Sequence, residues 1–172
     1  NKYIYPYLLR NLEISKPNQV WQIDITYIPM KNGFMYMTAV IDVYSRYIVG
    51  WGISNSLDAS ESLKVVKEAM KIHGKPDILN SDQGTQFSCK SYVEYLKKEE
   101  IKISMDGKGR CLDNIFIERF WRTIKYQHIF LNPAKDGLDL YLGIQKWLQR
   151  YHNRGHQGIE LKKPAEKYKL AA

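Results

Sequence analysis

The sequence contains few of the features that mark disulfide-stabilised, zinc-ribbon or membrane proteins. It has two cysteines, Cys89 and Cys111, and no CxxC pair, so neither a disulfide framework nor a zinc ribbon is indicated and a reducing cytoplasm is expected. No apolar run approaches the roughly 20 residues that span a bilayer, and the N-terminus has no signal-peptide core. Internal repeats and low-complexity tracts are also missing, and a length of 172 residues predicts one folded domain.

Acidic residues are outnumbered by basic ones. The chain has 26 Lys and Arg against 18 Asp and Glu, a net charge of +8. This excess favours a polyanionic partner, nucleic acid first, although many ordinary proteins are as basic. A hydrophobic content of 44% and an aromatic content of 13% indicate a packed globule rather than a disordered chain.

The first half of the chain has the pattern of an antiparallel meander. Residues 20–27 alternate between an apolar set that starts at Trp21 and a polar set that includes Asp24, so Asp24 is expected on a polar strand face outside the core. The Asn-Gly pair at 32–33 predicts a hairpin turn. Strands over 34–42 and 47–53 are predicted to follow it.

The second half alternates helices with two short strands. The order βββαβαβαα predicts an α/β fold, in which a five-stranded mixed sheet (three antiparallel strands, then two parallel) has helices on both faces. Glycines at 107 and 109 predict a mobile loop before the helix that carries Glu118. Helices are predicted over 59–73, 88–98 and 138–151, and strands over 77–81 and 101–104. A further helix, capped by Asp113 or Asn114, is predicted to hold an apolar stripe from Phe116 to Ile124.

Three acids carry the candidate chemistry. Asp24 lies in mid-strand, Asp82 opens the loop "SDQGTQF" at a strand end, and Glu118 lies on a helix face that is otherwise basic. Carboxylates from three elements can converge at a sheet edge, and such a histidine-free oxygen set suits Mg²⁺ or Mn²⁺. A pair of these ions about 3.5–4 Å apart supports phosphodiester chemistry. Without the ions, repulsion and desolvation predict a loose site.

Each acid alone also has an ordinary structural explanation. Asp24 could be a solvated residue on an open strand face, and Asp82 could bond its own backbone in an Asx turn. Glu118 could pair with Arg122 one helical turn away. Only the combination of motifs and spacing favours a catalytic site.

Four segments together resemble a known family. The chain is similar to the catalytic core of bacterial insertion-sequence transposases related to retroviral integrases, the DDE recombinases with a ribonuclease H-like fold. Thirty-five residues separate Asp82 from Glu118, the spacing of the integrase-like subgroup. The segments that carry the resemblance are "VWQIDITYI", "FMYMTAVIDVYSRYIVGW", "LNSDQGTQF" and "GRCLDNIFIERFWRTIKYQ".

The resemblance implies a metal-dependent DNA recombinase. Asp24, Asp82 and Glu118 would bind two Mg²⁺ (or Mn²⁺) ions. The family cleaves one DNA strand at the element's end with water, then joins the freed 3′-OH to another phosphodiester by direct transesterification. No covalent protein–DNA intermediate is implied, so no Ser or Tyr nucleophile is needed.

The resemblance also implies DNA contacts by basic and polar side chains. Arg122 and Lys125 stand four and seven places after Glu118, where retroviral integrases touch the DNA end. Arg154 lies in a tail whose Tyr-His-Asn-Arg order departs from the family pattern. Contacts of this kind would be salt-dependent and largely sequence-neutral. The full predicted set is Gln83, Thr85, Lys108, Arg110, Arg122, Lys125 and Arg154.

Residues 1–16 are predicted to be a linker or the end of a missing N-terminal DNA-binding region. Residues 17–172 are then the catalytic core with its C-terminal helix and basic tail. The chain begins at Asn1 and not Met, as a fragment would, and the family's helix-turn-helix region is expected outside it. Expected partners are transposon-end and target DNA and further copies of the chain on that DNA, at the bacterial nucleoid and without a membrane.

Two alternatives remain open on the sequence. One is a structure-selective nuclease of the same fold that cuts without joining; the other is a domesticated, non-catalytic DNA-binding module. Several neighbouring residues receive structural interpretations. Asp42 supports a turn or an ion pair, Asp113 caps the Glu118 helix, Trp21, Trp51 and Trp121 anchor the core, and His152 and His156 face the surface or DNA.

Overall fold

A five-stranded mixed sheet forms the centre of the fold, as seen in a computed structural model that describes residues 2–170. Its spatial order is β3-β2-β1-β4-β5, with β1 antiparallel to β2 and parallel to β4. The predicted sheet is therefore confirmed. The predicted domain limits at residues 1 and 172 lie outside the described residues. The strands are β1 (Val20–Pro29), β2 (Phe34–Asp42), β3 (Ile48–Ser54), β4 (Ile78–Ser81) and β5 (Lys102–Met105).

The predicted helices are present with shifts of one or two residues at most ends. A short helix, α2, occupies part of the loop predicted after Asp82, and a C-terminal helix, α6, adds to the expected set. None of the helices in the described part of the chain combines the length and apolar character needed to cross a bilayer. The helices are α1 (Ala59–His73), α2 (Thr85–Ser88), α3 (Lys90–Lys98), α4 (Ile115–Ile124, continued by a π turn over Lys125–Ile129), α5 (Gly137–His152) and α6 (Pro164–Leu170), with 3₁₀ turns at Cys111–Asn114 and Gln157–Ile159.

Each face of the sheet packs on its own hydrophobic cluster. Trp21 and Ile23 of β1 pack against α1 and α3 on one face. On the other face, Ile28 of β1 and Ala39 and Ile41 of β2 pack against α4 and α5. Fully buried aliphatic side chains on both faces supply most of the folding free energy, at about 25 cal/mol per Å² of apolar surface removed from water.

The expectation that Asp24 lies on a face outside the core is wrong. Asp24 pairs with Ala39, and Gln22 pairs with Ile41, so the polar residues of β1 share their face with core residues of β2. Gln22 is 1% exposed, and its side-chain oxygen accepts from the backbone N–H of Ile117 in α4 at 3.3 Å. Periodicity within one strand cannot detect what the neighbouring strand contributes to the same face.

The predicted hairpin turn is present, and a second turn joins β2 to β3. Met30 N–H donates to the carbonyl of Gly33 at 3.2 Å, and Gly33 has φ 79°, which a glycine adopts without strain. At the second turn, Asp42 accepts from Ser45 N–H at 2.9 Å and from Ser45 Oγ at 2.5 Å. Asp42 therefore supports the turn, as one of its two predicted roles required.

Two smaller predictions fail. Asp113 does not cap α4, because its Oδ2 accepts from the N–H of Gly107 at 2.9 Å and a 3₁₀ turn leads into the helix instead. His152 is not a surface group, because its Nε2 accepts from Ile48 N–H at 3.1 Å and its ring stacks on Tyr47 at 3.9 Å. Both side chains find partners far from their own helix turn, which local sequence does not reveal.

The N-terminal segment lies along the edge strand β5. Met105 N–H donates to the carbonyl of Pro6 at 3.3 Å, and Leu8 N–H donates to Ser104 Oγ at 2.9 Å. Tyr3 and Tyr5 pack on the α1–α3 side of the core. The assignment of residues 1–16 as a linker stays a prediction.

Gly50 is expected to be intolerant of alanine. A Cβ at this position would lie 2.8 Å from the Cβ of Ala69 and 3.3 Å from the carbonyl oxygen of Val65, both on α1. We expect Gly50→Ala to lower the free energy of unfolding by about 1–3 kcal/mol through overpacking, measured from urea denaturation. Gly52→Ala is the matched control, because it meets only Val65 Cγ2 at 3.1 Å and should cost less. Equal stability of Gly50→Ala and wild type would contradict this packing.

Candidate active site

The three predicted acids come from three elements that meet at one edge of the sheet. Asp24 lies in the middle of β1, Asp82 directly follows β4, and Glu118 lies in the first turn of α4. Glu118 is within hydrogen-bonding reach of Asp24, and both Glu118 and Asp82 repel the charge of Asp24. The structure thus brings Glu118 within hydrogen-bonding reach of Asp24, while Asp82 acts on Asp24 through its charge only.

Asp24 is the partly buried member of this group. Burial is the largest cause that raises its pKa from 3.8 to about 7, and the negative charges of Glu118 and Asp82 raise it further. The hydrogen bond from the N–H of Ile25 opposes this shift. A carboxylate with such a pKa holds a proton near neutral pH unless a cation compensates its charge.

Asp82 is exposed and makes the local bond that the ordinary explanation anticipated. Its Oδ1 accepts from the N–H of Gly84 at 2.7 Å, in an Asx turn that opens α2. It also lines an open cleft of about 490 Å³ together with Glu118 and Asp106. Asp82 therefore forms the turn and lines the cleft at the same time.

The carboxylates are not arranged as a closed metal site. Within residues 2–170, no group of three or more His, Cys, Asp or Glu side chains lies close enough together to hold an ion. Their chemistry nevertheless fits a hard divalent cation, because all three offer carboxylate oxygens and their mutual repulsion raises the pKa of Asp24. Release of Asp82 from Gly84 would free the oxygen that now accepts the turn's hydrogen bond.

Trp121 contacts Asp24 directly, a role that sequence reasoning missed. It is 4% exposed and lies in the α4–α5 core cluster, so the prediction of a core anchor is confirmed. Its indole N–H also donates to Asp24 Oδ2 at 3.1 Å. The available signal was its position three residues after Glu118, together with the need of a buried indole N–H for an acceptor.

Lys125 extends into the same region. Its Nζ donates to Thr26 Oγ1 at 2.6 Å, and Thr26 lies two residues beyond Asp24 on the same strand face. Burial lowers the pKa of Lys125, while the charges of Glu118 and Asp24 raise it. Lys125 therefore places a cation beside two of the acids.

Asp106 is a fourth acid at this cleft. Ser81 pairs with Met105 in the parallel β4–β5 register, so Asp82 and Asp106 follow equivalent positions of neighbouring strands. Burial is the largest cause that raises the pKa of Asp106 to about 7; the hydrogen bond from Asn80 opposes the shift, and repulsion from nearby acids adds to it. The sequence signal was its place two residues after the predicted strand 101–104, near the end at which parallel strands carry functional residues.

A buried polar network lies beneath the cleft. Asn80 is fully buried, accepts from Ser104 Oγ at 2.7 Å and donates to Asp106 Oδ1 at 2.8 Å. It also donates to Asn114 Oδ1 at 3.3 Å. Asn114 is 3% exposed and lines the cleft, yet its Nδ2 has no hydrogen-bond partner among the described residues. An unpartnered buried amide donor is unusual in a folded protein, and here it lies beneath the wall of the acid cleft.

The predicted DNA-contact residues separate into two groups. Gln83, Lys108 and Arg110 line the acid cleft, and exposed Thr85 begins α2 beside it. Arg122 and Arg154 do not join the acids, because they line a second cleft on another flank of α4. Arg122 and Lys125 therefore face different surfaces, although they are three positions apart on a helix.

Two families with the same description together match most of the length of the chain. Residues 14–111 match the family described as Integrase core domain, and residues 99–164 match a second family with the same description. The transposase for insertion sequence element IS904 of Lactococcus lactis is 35% identical over 162 residues, which cover 88% of this chain and 62% of that protein. Transposase InsF for IS3A of Escherichia coli is 34% identical over 117 residues, which cover 67% of this chain and 41% of that protein.

Solved structures share the fold at low sequence identity. The simian T-cell lymphotropic virus intasome in complex with PP2A regulatory subunit B56 gamma contains a chain with a TM-score of 0.77 and 18% identity, over 98% of this chain and 58% of that chain. The HTLV-2 integrase catalytic core domain in complex with magnesium gives a TM-score of 0.70 and 20% identity, over 89% of this chain and 97% of that chain. The predicted ribonuclease H-like fold is confirmed.

The family matches and the sheet topology agree on one assignment. The first family match covers residues 14–111, more than half of the chain. The relatives found by sequence are transposases of bacterial insertion sequences, and the chain spans about 62% or less of their lengths. The chain belongs to the integrase core domain family.

Proposed function

We propose that this chain is the catalytic core of an insertion-sequence transposase. It cleaves DNA at the ends of the element and transfers the freed 3′-OH to another phosphodiester by direct transesterification. The observation that carries the proposal is the position of Glu118, which is within hydrogen-bonding reach of Asp24 and lines the same cleft as Asp82, in a chain related to transposases.

Asp24, Asp82 and Glu118 would hold the divalent cations, Mg²⁺ or Mn²⁺, as a pair of ions. Support comes from their hard oxygen donors and from the magnesium in the related HTLV-2 integrase core. When bound, the cations would polarise the scissile phosphate and lower the pKa of the attacking hydroxyl group. A Ser or Tyr nucleophile is not required by this chemistry.

Other side chains prepare the cleft for a phosphodiester. The indole of Trp121 orients Asp24, so the carboxylate presents a defined oxygen to the cation. Lys125, held by Thr26, supplies positive charge for a phosphate oxygen next to the acids. Asn114, bonded to Asn80, fixes the start of α4 at the wall of the cleft.

The proposed partners are transposon-end DNA, target DNA and further copies of the chain. The structural neighbours include an intasome and dimeric and trimeric forms of an integrase core, which supports assembly on DNA. The relatives are bacterial, which supports action at the nucleoid. Recognition of the terminal repeats is assigned to a region outside this chain, so the isolated core should bind DNA without sequence preference.

Glu118→Gln is expected to abolish metal-dependent chemistry on DNA. The substitution keeps the shape of the side chain and removes one anionic ligand, so strand nicking and joining should fall by more than about 100-fold. The assay is cleavage and 3′-OH joining of short labelled duplexes with Mg²⁺ or Mn²⁺. Glu68→Gln on α1, an exposed acid on the opposite face of the sheet, is the control and should retain activity.

The same assay separates the alternatives. Joining by wild type but not by Glu118→Gln supports the transposase. Metal-dependent cutting without any joining points to a nuclease of the same fold. Cation binding without any cleavage or joining of the DNA duplexes would favour the non-catalytic module.

Trp121→Phe is expected to weaken Mg²⁺ binding while the core remains packed. Loss of the indole N–H removes a hydrogen bond to the charged form of Asp24, so the pKa of Asp24 should rise and the affinity for Mg²⁺ should fall by about tenfold. Calorimetric titration measures the affinity. Trp147→Phe is the control, since it truncates another buried indole of the same cluster away from Asp24. Equal affinities of Trp121→Phe and wild type would contradict this role.

Without divalent cations, Asp24 should make the fold less stable as the pH rises. Its pKa is raised from 3.8 to about 7 in the folded chain, so the folded state binds the proton more tightly than the unfolded state does. The free energy of unfolding therefore falls as the pH rises through about 7. Burial lowers the pKa of His152 to about 4. This histidine therefore makes the free energy of unfolding rise with pH between about 4 and 6.5.

The measurement is the difference between wild type and Asp24→Asn in EDTA, because the histidine contribution cancels in that difference. Thermal or urea unfolding between about pH 5 and 8 should show wild type losing stability relative to the variant. Added Mg²⁺ should restore the stability of wild type only. Parallel pH profiles of the two proteins would show that Asp24 does not titrate in this range.

A further inference from the structure

A second basic surface lies beside α4, apart from the acids. Two adjoining clefts, of about 630 and 610 Å³, share Gln127 and Arg154 along their walls. Together they form a continuous depression between the β2–β3 turn, the outer flank of α4 and the end of α5. We call it the arginine groove, after Arg46, Arg119, Arg122, Arg150 and Arg154.

Arginine is concentrated in this groove. The chain has seven arginines and 19 lysines; five of the arginines line the groove, and in the described part of the chain no lysine does. If the residues served only to give the protein a positive net charge, arginines and lysines would both be expected in the groove. The selection of guanidinium over ammonium is typical of a site that binds phosphate oxygens through paired N–H donors.

The charges in the groove are not neutralised by neighbouring acids. No Asp or Glu lines either cleft, and the salt bridges found within residues 2–170 involve lysines only. Asp42 acts on Arg46 from beneath, but it is fully buried and bonded to Ser45 and Asn18.

The cations also repel one another. Burial is the main cause that lowers the pKa of Arg46, and the charge of Arg119 lowers it further. The pKa of His156 is lowered by burial and then by Arg46 and Arg154. A concave surface with this uncompensated positive potential attracts a polyanion.

Two of the guanidinium groups are held in place before any ligand binds. Arg46 lies 4.0 Å above the ring of Phe116, and its side chain donates to the carbonyl of Val43. Arg154 lies 5.5 Å from the ring of Trp147 and donates to Gln127 Oε1. Such stacking fixes the donor plane and reduces the entropy lost on binding.

We propose that the arginine groove binds the phosphodiester backbone of DNA. Helix α4 connects it to the acid cleft, because Glu118 lines that cleft while the adjacent Arg119 and nearby Arg122 line the groove. A DNA strand with its scissile phosphate at Glu118 would continue across α4 into the groove. Five arginines along two joined clefts suit a ligand with repeating phosphates better than a single small anion.

The inference rests on DNA as the substrate of the proposed transposase, but it concerns a surface that needs no metal ion. DNA binding can therefore be measured in EDTA, where the acid cleft performs no chemistry. The probe is a fluorescently labelled duplex of arbitrary sequence, and the readout is anisotropy over a series of salt concentrations. If the chain binds DNA in EDTA but does not cleave it when metal ions are added, the proposed function of the acid cleft fails and the proposal for the arginine groove does not.

The variants are Arg119→Gln with Arg122→Gln, and Arg150→Gln with Arg154→Gln. Each pair should weaken DNA binding by about tenfold and reduce the slope of log K against log salt by about 2, because each lost phosphate contact releases one fewer counterion. The matched control is Lys71→Gln with Lys98→Gln, which removes the same charge from exposed positions on α1 and α3. The control pair should leave affinity nearly unchanged.

Three results would overturn the proposal. The first is a loss of DNA affinity in the lysine double variant equal to that in the arginine double variants. The second is unchanged affinity in both arginine double variants. The third is that inorganic phosphate displaces the labelled DNA as effectively as unlabelled duplex does at the same concentration of phosphate groups. The last result would identify a pocket for small anions. Circular dichroism and thermal unfolding check that each variant is folded. Arg119→Lys with Arg122→Lys keeps the charge and should recover most of the salt slope.

Discussion

The carboxylate of Asp24, held between the central strand and α4, is the constraint on which the candidate site depends. A partly buried Asp next to Glu118 is unfavourable without a compensating cation. The fold supports it with a strand that pairs with β2 at Asp24 itself and with β4 up to Gln22, and with the indole of Trp121. Rigid strand and helix positions are where a metal ligand can be kept in register, since a loop would relax away from the repulsion.

Helix α4 connects every functional feature of the molecule. Its inner face supplies Ile117, Phe120 and Trp121 to the core, one edge presents Glu118 to the acid cleft, and another presents Arg119 and Arg122 to the arginine groove. Buried apolar contacts along the inner face fix its rotation about its own axis. Packing on the sheet thereby determines which charged residues reach the DNA substrate that we propose.

The polar network of Asn80, Ser104, Asp106 and Asn114 links the two parallel strands to the first turn of this helix. Its members are buried, and most of them are satisfied, so the wall of the cleft is defined by directional bonds in addition to apolar packing. The N-terminal segment joins the network through Leu8 and Ser104. Residues that lie far apart along the chain therefore hold one side of the acid cleft.

Much of this architecture was readable from local patterns. Alternation in residues 20–27, the Asn-Gly turn and the helix–strand order predicted the mixed sheet, and the residue types at Asp24, Asp82 and Glu118 with their spacing predicted both the family and the candidate ligands. These signals are local, because backbone periodicity and turn chemistry act over a few residues. The role of these acids in metal binding is a prediction that the fold makes physically reasonable.

Long-range contacts decided the rest. The burial of the Asp24 face depends on Ala39 and Ile41 in the neighbouring strand, and the contacts of Trp121 and Asn114 depend on how α4 packs. The side chain of Lys125 bonds to Thr26, while Arg122 lines a cleft with Arg46 and Arg154. Helical spacing alone would place Lys125 and Arg122 on one face. The sequence by itself determined the elements, the family and the candidate ligands. Only the tertiary structure decided which side chains share a cleft, because that depends on packing between segments that are distant along the chain.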